Sequence, residues 1–122
     1  MAAHLPQRLR FPRSARIKAA RDFARVRQEG GRLALGCLIA NWRCLPPGAH
    51  SRLGVVTSRR IGGAVFRNRA RRLLRESFRT HQHELARPLD LVLVARSSIV
   101  GKGFVEVESD FLTSLRKAGL LK

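Results

Sequence analysis

The stretch that decides the fold covers residues 52–79 and reads RLGVVTSRRIGGAVFRNRARRLLRESFR. Its first part, Arg52 to Ser58, contains the strand formers Val-Val-Thr and predicts a β-strand. Gly62-Gly63 then interrupts the pattern. From Ala64 to Arg79 the apolar residues recur at helical spacing. The stretch therefore predicts a strand, a turn and a long helix.

The predicted helix has an apolar face and an arginine face. At about 100° per residue, the residues within about 80° of Phe66 are apolar or small, and arginines occupy the other side. Glu76 is the only acid of this helix. Because like charges at i,i+4 spacing repel each other, such a face is typical of a helix that binds phosphates. The apolar face holds Phe66, Ala70, Leu73, Leu74 and Ser77; the arginine face holds Arg71, Arg72, Arg75 and Arg79 around Asn68, with Arg67 and Arg69 at its borders.

The residues before the helix extend this basic region. Ser58-Arg59-Arg60 follows the predicted strand, and the glycines after it allow backbone N–H groups to approach a phosphate. Between Arg52 and Arg79 the chain has nine arginines and one acid. This is the most basic stretch of the sequence.

The whole chain is strongly basic. Its 25 Lys and Arg residues against 8 Asp and Glu give a net charge of +17, and a charge of this size predicts a polyanionic partner. Composition alone leaves nucleic acid and an anionic membrane surface both open. No apolar run approaches the roughly 18 residues of a membrane span, and no signal peptide pattern opens the chain. We predict that Cys37 and Cys44 are free thiols in a cytoplasmic protein.

Four further elements flank the deciding stretch. Ala19 to Glu29 predicts a first helix, and Leu33 to Cys44 predicts one strand, or two strands with a bend at Gly36. Asp90 to Ala95 is a continuous apolar run, typical of a strand buried on both faces in parallel pairing. Val105 to Ala118 predicts a last helix.

This order of elements, α-β-β(-β)-α-β-α, predicts an α+β fold. We expect a single-domain two-layer sandwich in which a small mixed sheet packs against helices. The domain is predicted to cover residues 17–122. Residues 1–16 carry two prolines and four arginines and predict a basic, flexible N-terminal arm.

Residues 52–79 resemble the signature of the bacterial ribonuclease P protein component. That signature is a strand, a basic pair, Gly-X-Ala-Val, and then Arg-Asn-Arg followed by basic residues and leucine. Arg21-Asp22-Phe23, with Val26 and Gly30, is similar to the first helix of the family, and Asp90 to Arg96 is similar to its last strand. The resemblance covers residues 17–118.

The resemblance implies a ribonucleoprotein endoribonuclease that removes the 5′ leader from precursor tRNA. The RNA subunit then carries the active site and uses Mg²⁺, so we predict no catalytic residue, no metal ligand and no bound cofactor in the protein. The implied partners are ribonuclease P RNA and precursor tRNA, with the protein as a monomer in a 1:1 complex with the RNA. The family fold also implies a left-handed βαβ crossover, like that of a small ribosomal protein domain.

The resemblance assigns two groups of site residues. A cleft between the first helix and the sheet holds the single-stranded leader, with Phe23 as its aromatic residue. Arg27 and Asn41 stand where relatives carry further aromatics, so this cleft is expected to depend more on charge and guanidinium stacking. The implied RNA-binding residues are Arg59, Arg60, Arg67, Asn68, Arg69, Arg71, Arg72 and Arg75.

Two other classes of protein remain open from the residues alone. A ribosomal or ribosome-assembly protein would share the charge without any catalytic complex, and a protein-only nuclease or a DNA-binding module would act without an RNA cofactor. A protein nuclease needs clustered carboxylates or a histidine pair. The acids are scattered along the chain, and we predict that His81 and His83 are exposed residues of a helix end.

Overall fold

A computed structural model describes residues 11–122, which form three helices and four strands in the predicted order. The open question of residues 33–44 is resolved as two strands separated by a bend. The elements are α1 (Ala20–Glu29), β1 (Gly31–Leu35), β2 (Leu38–Cys44), β3 (Arg52–Val56), α2 (Ala64–His81), β4 (Leu89–Ala95) and α3 (Phe104–Lys117).

The four strands form one mixed sheet in the order β1-β2-β4-β3. β4 pairs in parallel with β3, as its apolar sequence predicted, and it pairs antiparallel with β2 on its other side. Helix α2 makes the connection between the parallel strands β3 and β4. The deciding stretch thus forms most of a βαβ unit, and β4 completes it from inside the sheet.

Gly36 makes the bend between β1 and β2. Its φ of +59° lies in the left-handed region, and an added Cβ would lie 2.2 Å from Oδ2 of Asp110 in α3. The Asp110 carboxylate accepts a hydrogen bond of 3.0 Å from the N–H of Cys37. Burial and the adjacent Asp110 raise the pKa of the Cys37 thiol to about 12. Cys37 is therefore an inert buried thiol, and both cysteines are free, as predicted.

The sheet is covered on both faces. Alternate residues of the strands pack with α2 and α3 into the main core, where Leu74, Phe78 and Phe111 are fully buried. The other face packs against α1 through a smaller cluster around Val26 and Val92. The two predicted layers are present, and α1 adds a short helix on the face opposite α2 and α3.

A network of ion pairs joins α1 to this second face. Arg52 in β3 donates two hydrogen bonds, of 2.9 and 2.8 Å, to the carboxylate of Asp90 in β4. Its third nitrogen lies 3.5 Å from Asp22 in α1. The Asp90 side chain is only 2% exposed, and hydrogen bonding to it raises the pKa of Arg52. Arg52 therefore connects two strands and a helix.

The segment before α1 also packs against the domain. The ring of Phe11 contacts Phe78 of α2 edge-on, with centroids 5.8 Å apart, and Arg16 forms a β-bridge with Leu53. The sequence assigned residues 1–16 to a flexible arm. Residues 11–16 of that arm lie on the domain, and residues 1–10 are outside the described residues.

His81 is enclosed at the end of α2, where the sequence predicted an exposed residue. Its side chain is 18% exposed, and its Nδ1 and Nε2 atoms contact the carboxylates of Glu84 and Glu108, the latter at 2.8 Å. Burial disfavours the charged imidazole, but hydrogen bonds with the two carboxylates outweigh this and raise the pKa of His81. His83 is exposed, as predicted.

The stability that His81 contributes should depend on pH. Because its folded-state pKa lies above the unfolded value of about 6.5, the contribution is full below that pH and is lost as pH rises through the folded-state pKa. We expect His81→Gln to lower the free energy of unfolding by about 1 kcal/mol more at pH 6 than at pH 9. Urea unfolding at both pH values measures this. His83→Gln is the control, and an equal loss from His81→Gln at both pH values would contradict the expectation.

Candidate nucleic-acid interface

The arginine face of α2 is open, and its apolar face is turned to the core. Ala70, Leu74 and Ser77 are buried, as the periodicity predicted. Leu73 is half-buried, and Phe78, which the predicted apolar face did not include, is fully buried. Phe66 is an exception, because its side chain is 51% exposed. It lies in the first turn of α2, before the part of the helix that packs on the sheet. The buried stripe thus begins at Ala70.

A groove runs between residues 11–16 and the arginine face of α2. The Arg16 guanidinium lies 5.0 Å above the ring of Phe11, within cation–π range. Sequence reasoning missed Arg16, because it placed this residue in a flexible arm. We call this surface the arginine groove. It is lined by Phe11, Arg16, Asn68, Arg71, Arg72, Arg75, Glu76 and Arg79.

Positive charges crowd one another in the arginine groove. Burial, together with the neighbouring charges of Arg16 and Arg71, lowers the pKa of Arg75. Glu76 is the only carboxylate among the lining residues, and Arg79 donates two hydrogen bonds to it, of 2.9 and 2.6 Å. That pairing leaves the other arginines without a counter-charge in the groove. A phosphate placed there would relieve their mutual repulsion.

Asn68 helps to set the shape of the groove. Its side-chain oxygen accepts a hydrogen bond of 2.6 Å from Nη1 of Arg71, one turn further along α2. The bond fixes one edge of this guanidinium and leaves the other edge free to bind a phosphate in a bidentate manner. Asn68 therefore orients the guanidinium of Arg71.

The structure separates the remaining predicted RNA-binding residues from the groove. Arg59 and Arg60 are exposed in a 3-10 helix before α2, where the Ser58 hydroxyl accepts a hydrogen bond from the N–H of Arg60. Arg69 is exposed beside Phe66. The Nε atom of Arg67 is buried without a hydrogen-bond partner in the described part of the chain. The basic surface thus continues beyond the groove to the start of α2.

The predicted leader-cleft residues share the α1 side of the sheet but differ in exposure. The Phe23 ring is half-buried and lies directly on β3, where a Cβ added to Gly54 would be 2.5 Å from it. Arg27, one turn along α1, is exposed. Asn41 is 8% exposed and sits in β2 opposite Arg32 and Val92 of the adjacent strands. Phe23 and Arg27 are thus more open to a ligand than Asn41.

Residues 11–122 form neither a cluster of metal ligands nor a membrane-spanning helix. No group of three His, Cys, Asp or Glu side chains in this range is placed to hold a metal ion. No helix in the same range is both long and apolar enough to cross a lipid bilayer.

These features define a small basic α+β protein whose charge is concentrated on and around one helix. The sequence model of the family Ribonuclease P matches residues 11–119. The ribonuclease P protein component of Syntrophomonas wolfei is 36% identical over 110 residues, which cover 88% of this chain and 90% of that protein. The ribonuclease P protein component of Chloroflexus aurantiacus is 38% identical over 115 residues, which cover 89% of this chain and 81% of that protein. The chain belongs to the ribonuclease P protein family.

Solved structures agree with this assignment. The RNase P protein of Staphylococcus aureus superimposes with a TM-score of 0.80 at 26% identity, covering 88% of this chain and 98% of that one. The RNase P protein of Thermotoga maritima superimposes with a TM-score of 0.74 at 29% identity, covering 84% of this chain and 96% of that one. The predicted fold class is confirmed. The match from residue 11 also agrees with the packing of residues 11–16 on the domain.

Proposed function

We propose that this chain is the protein subunit of ribonuclease P and assists its RNA subunit in removing the 5′ leader of precursor tRNA. The observation that carries the proposal is the arginine groove, in which guanidinium groups from two segments converge with one paired carboxylate among them. Family membership supports the choice of this RNA over other polyanions. The protein acts as a monomer with one RNA molecule.

In this proposal the protein contributes binding and orientation, and the Mg²⁺ ions belong to the RNA. Arg16, Arg71 and Arg75 bind backbone phosphates in the groove, and Arg59, Arg60, Arg67 and Arg69 extend the contact along the start of α2. Neutralising phosphates lowers the repulsion between two RNA molecules, so precursor and catalytic RNA assemble at lower Mg²⁺ concentration. No protein group takes part in the chemical step.

The leader is proposed to lie on the α1 side, away from the arginine groove. Phe23 offers part of an aromatic ring for stacking, and Arg27 offers a guanidinium one turn further along the helix. Asn41 is nearly buried, so in this proposal it forms part of the floor of the cleft and makes little direct contact with the leader. Separate faces for the two RNA molecules allow the protein to bind both at once.

Reconstitution tests this function most directly. The protein is mixed with a bacterial ribonuclease P RNA and a precursor tRNA at a Mg²⁺ concentration too low for the RNA alone. We expect cleavage at the 5′ end of the mature tRNA only when protein and RNA are both present. Binding to structured RNA without any gain in cleavage would instead indicate the ribosome-assembly alternative. Cleavage by the protein alone would indicate a protein nuclease.

Phe23→Ala should distinguish precursor tRNA from mature tRNA. Stacking of a base on an aromatic ring contributes about 1–3 kcal/mol, so we expect the complex to bind precursor at least about fivefold more weakly and mature tRNA unchanged. Arg25→Ala is the control, since Arg25 is an exposed residue of the same helix. Equal losses for both tRNAs would assign Phe23 to packing on Gly54 alone. Titration of labelled tRNA into the complex gives both affinities.

A further inference from the structure

A second depression lies beside the first turn of α2, outside the arginine groove. We call it the apolar slot. Its floor is formed by the buried residues Ala70 and Ile99, and its walls carry two exposed apolar side chains, Phe66 at 51% and Val100 at 44%. The slot is lined by Phe66, Arg69, Ala70, Ile99, Val100 and Gly101.

A glycine lies at each of the two walls of the apolar slot, where the absence of a side chain leaves room around Phe66. Gly62 has a φ of +128°, and a Cβ added there would lie 3.1 Å from Cδ2 of Phe66, so the ring leans on bare backbone. Gly101, on the opposite wall, has a φ of +87° and open space where a Cβ would stand. The Phe66 ring is therefore supported at its base and accessible from the slot.

The charges around the apolar slot are positive. Arg69 stands at its rim, and the 3-10 helix with the exposed Arg59 and Arg60 contacts the turn that carries Ile99. No carboxylate is among the lining residues. A ligand with a flat apolar part joined to an anionic part matches this arrangement.

We propose that the apolar slot binds one unpaired nucleobase of an RNA strand, stacked on Phe66, with the adjoining phosphate at Arg69. This inference rests on the proposed function, because it takes RNA as the partner. A nucleobase presents a flat face of the size of an aromatic ring, and each base stacked on an aromatic side chain contributes binding without any need for a particular base. The slot thus adds a contact that charge alone does not provide.

Single exposed apolar residues are common on proteins, so a matched control residue outside the slot is required. Val105 supplies one, because it is 74% exposed in the first turn of α3 and does not line the slot. The test uses Phe66→Ala, Phe66→Leu, Phe66→Tyr and Val105→Ala. Affinity for a bacterial ribonuclease P RNA is measured over a range of salt concentrations, and thermal unfolding checks that each variant folds.

Phe66→Ala and Phe66→Leu should weaken binding by about fivefold to 100-fold, and Phe66→Tyr and Val105→Ala should stay within twofold of wild type. The dependence of log affinity on log salt should keep its slope, since no phosphate contact is lost. Wild-type affinity for Phe66→Ala, or full affinity for Phe66→Leu, would overturn the stacking site. If the wild-type protein itself binds this RNA no better than an unrelated RNA, the proposed function fails instead.

Discussion

Replacing Arg67, Arg69 and Arg72 together by alanine is expected to weaken binding of a bacterial ribonuclease P RNA by about 100-fold or more. Charge-assisted contacts to phosphate contribute on the order of 1 kcal/mol each at moderate salt, and three of them multiply to this factor. The three residues belong to different parts of the basic surface. Arg72 lines the arginine groove, Arg69 stands at the apolar slot, and Arg67 precedes both in the first turn of α2.

The salt dependence separates lost phosphate contacts from a general loss of charge. Each lost contact should reduce the slope of log affinity against log salt by about 0.7 to 0.9. The matched control is the triple variant Arg87→Ala, Arg116→Ala, Lys117→Ala, which removes the same charge from exposed residues outside α2. We expect the control to lose much less affinity. Equal losses in the two triple variants would show that only net charge matters.

The second large effect is expected for stability. Arg52→Ala should lower the free energy of unfolding by about 3–5 kcal/mol, because it leaves the carboxylate of Asp90 buried without its main partner. Asp90→Ala should cost somewhat less, since the Arg52 side chain is 32% exposed and keeps Asp22 nearby. Arg52→Ala removes the whole connection that joins α1 to β3 and β4, whereas Asp90→Ala removes only the link between β3 and β4.

Urea unfolding of the single and double variants measures this effect. The double variant, Arg52→Ala with Asp90→Ala, should cost clearly less than the sum of the two single changes, because no charge is then left buried alone. Glu29→Ala is the control, since the Glu29 side chain is 55% exposed and its pair with Arg43 contributes under about 1 kcal/mol. A loss for Arg52→Ala as small as that of Glu29→Ala would contradict the expectation.

Local patterns in the sequence predicted the elements because each pattern is set by near neighbours along the chain. The spacing of Ala70, Leu74 and Ser77 predicted which side of α2 is buried, and the apolar run at β4 predicted a strand in parallel pairing. The same reasoning was wrong for Phe66. A helical wheel treats every turn alike, but no residue in the first turn of α2 is buried, and the Phe66 ring there is 51% exposed.

The remaining differences come from contacts between residues far apart in sequence. Arg16 joins the arginine groove because Phe11 packs on Phe78, more than sixty positions further along. His81 is enclosed because α3 brings Glu108 to its Nε2 atom. Asn41 is nearly buried in β2, on which α1 packs from a distant part of the fold. Helical and strand periodicity relates only residues that are close in sequence, so it cannot predict these long-range contacts. The sequence therefore predicted the type of site but not its full set of residues.

The position of β4 in the middle of the sheet has a consequence for how the chain folds during synthesis. Among residues 11–122, β4 is the one strand that pairs with β3, apart from the single bridge between Arg16 and Leu53, and 32 residues separate Val56 from Leu89. At the usual rates of translation, about 2 to 6 seconds pass between the completion of one strand and the arrival of the next. During that interval the ribosome completes the basic stretch of residues 52–79 close to its own RNA. Strand β3 still lacks β4 as its partner at that time.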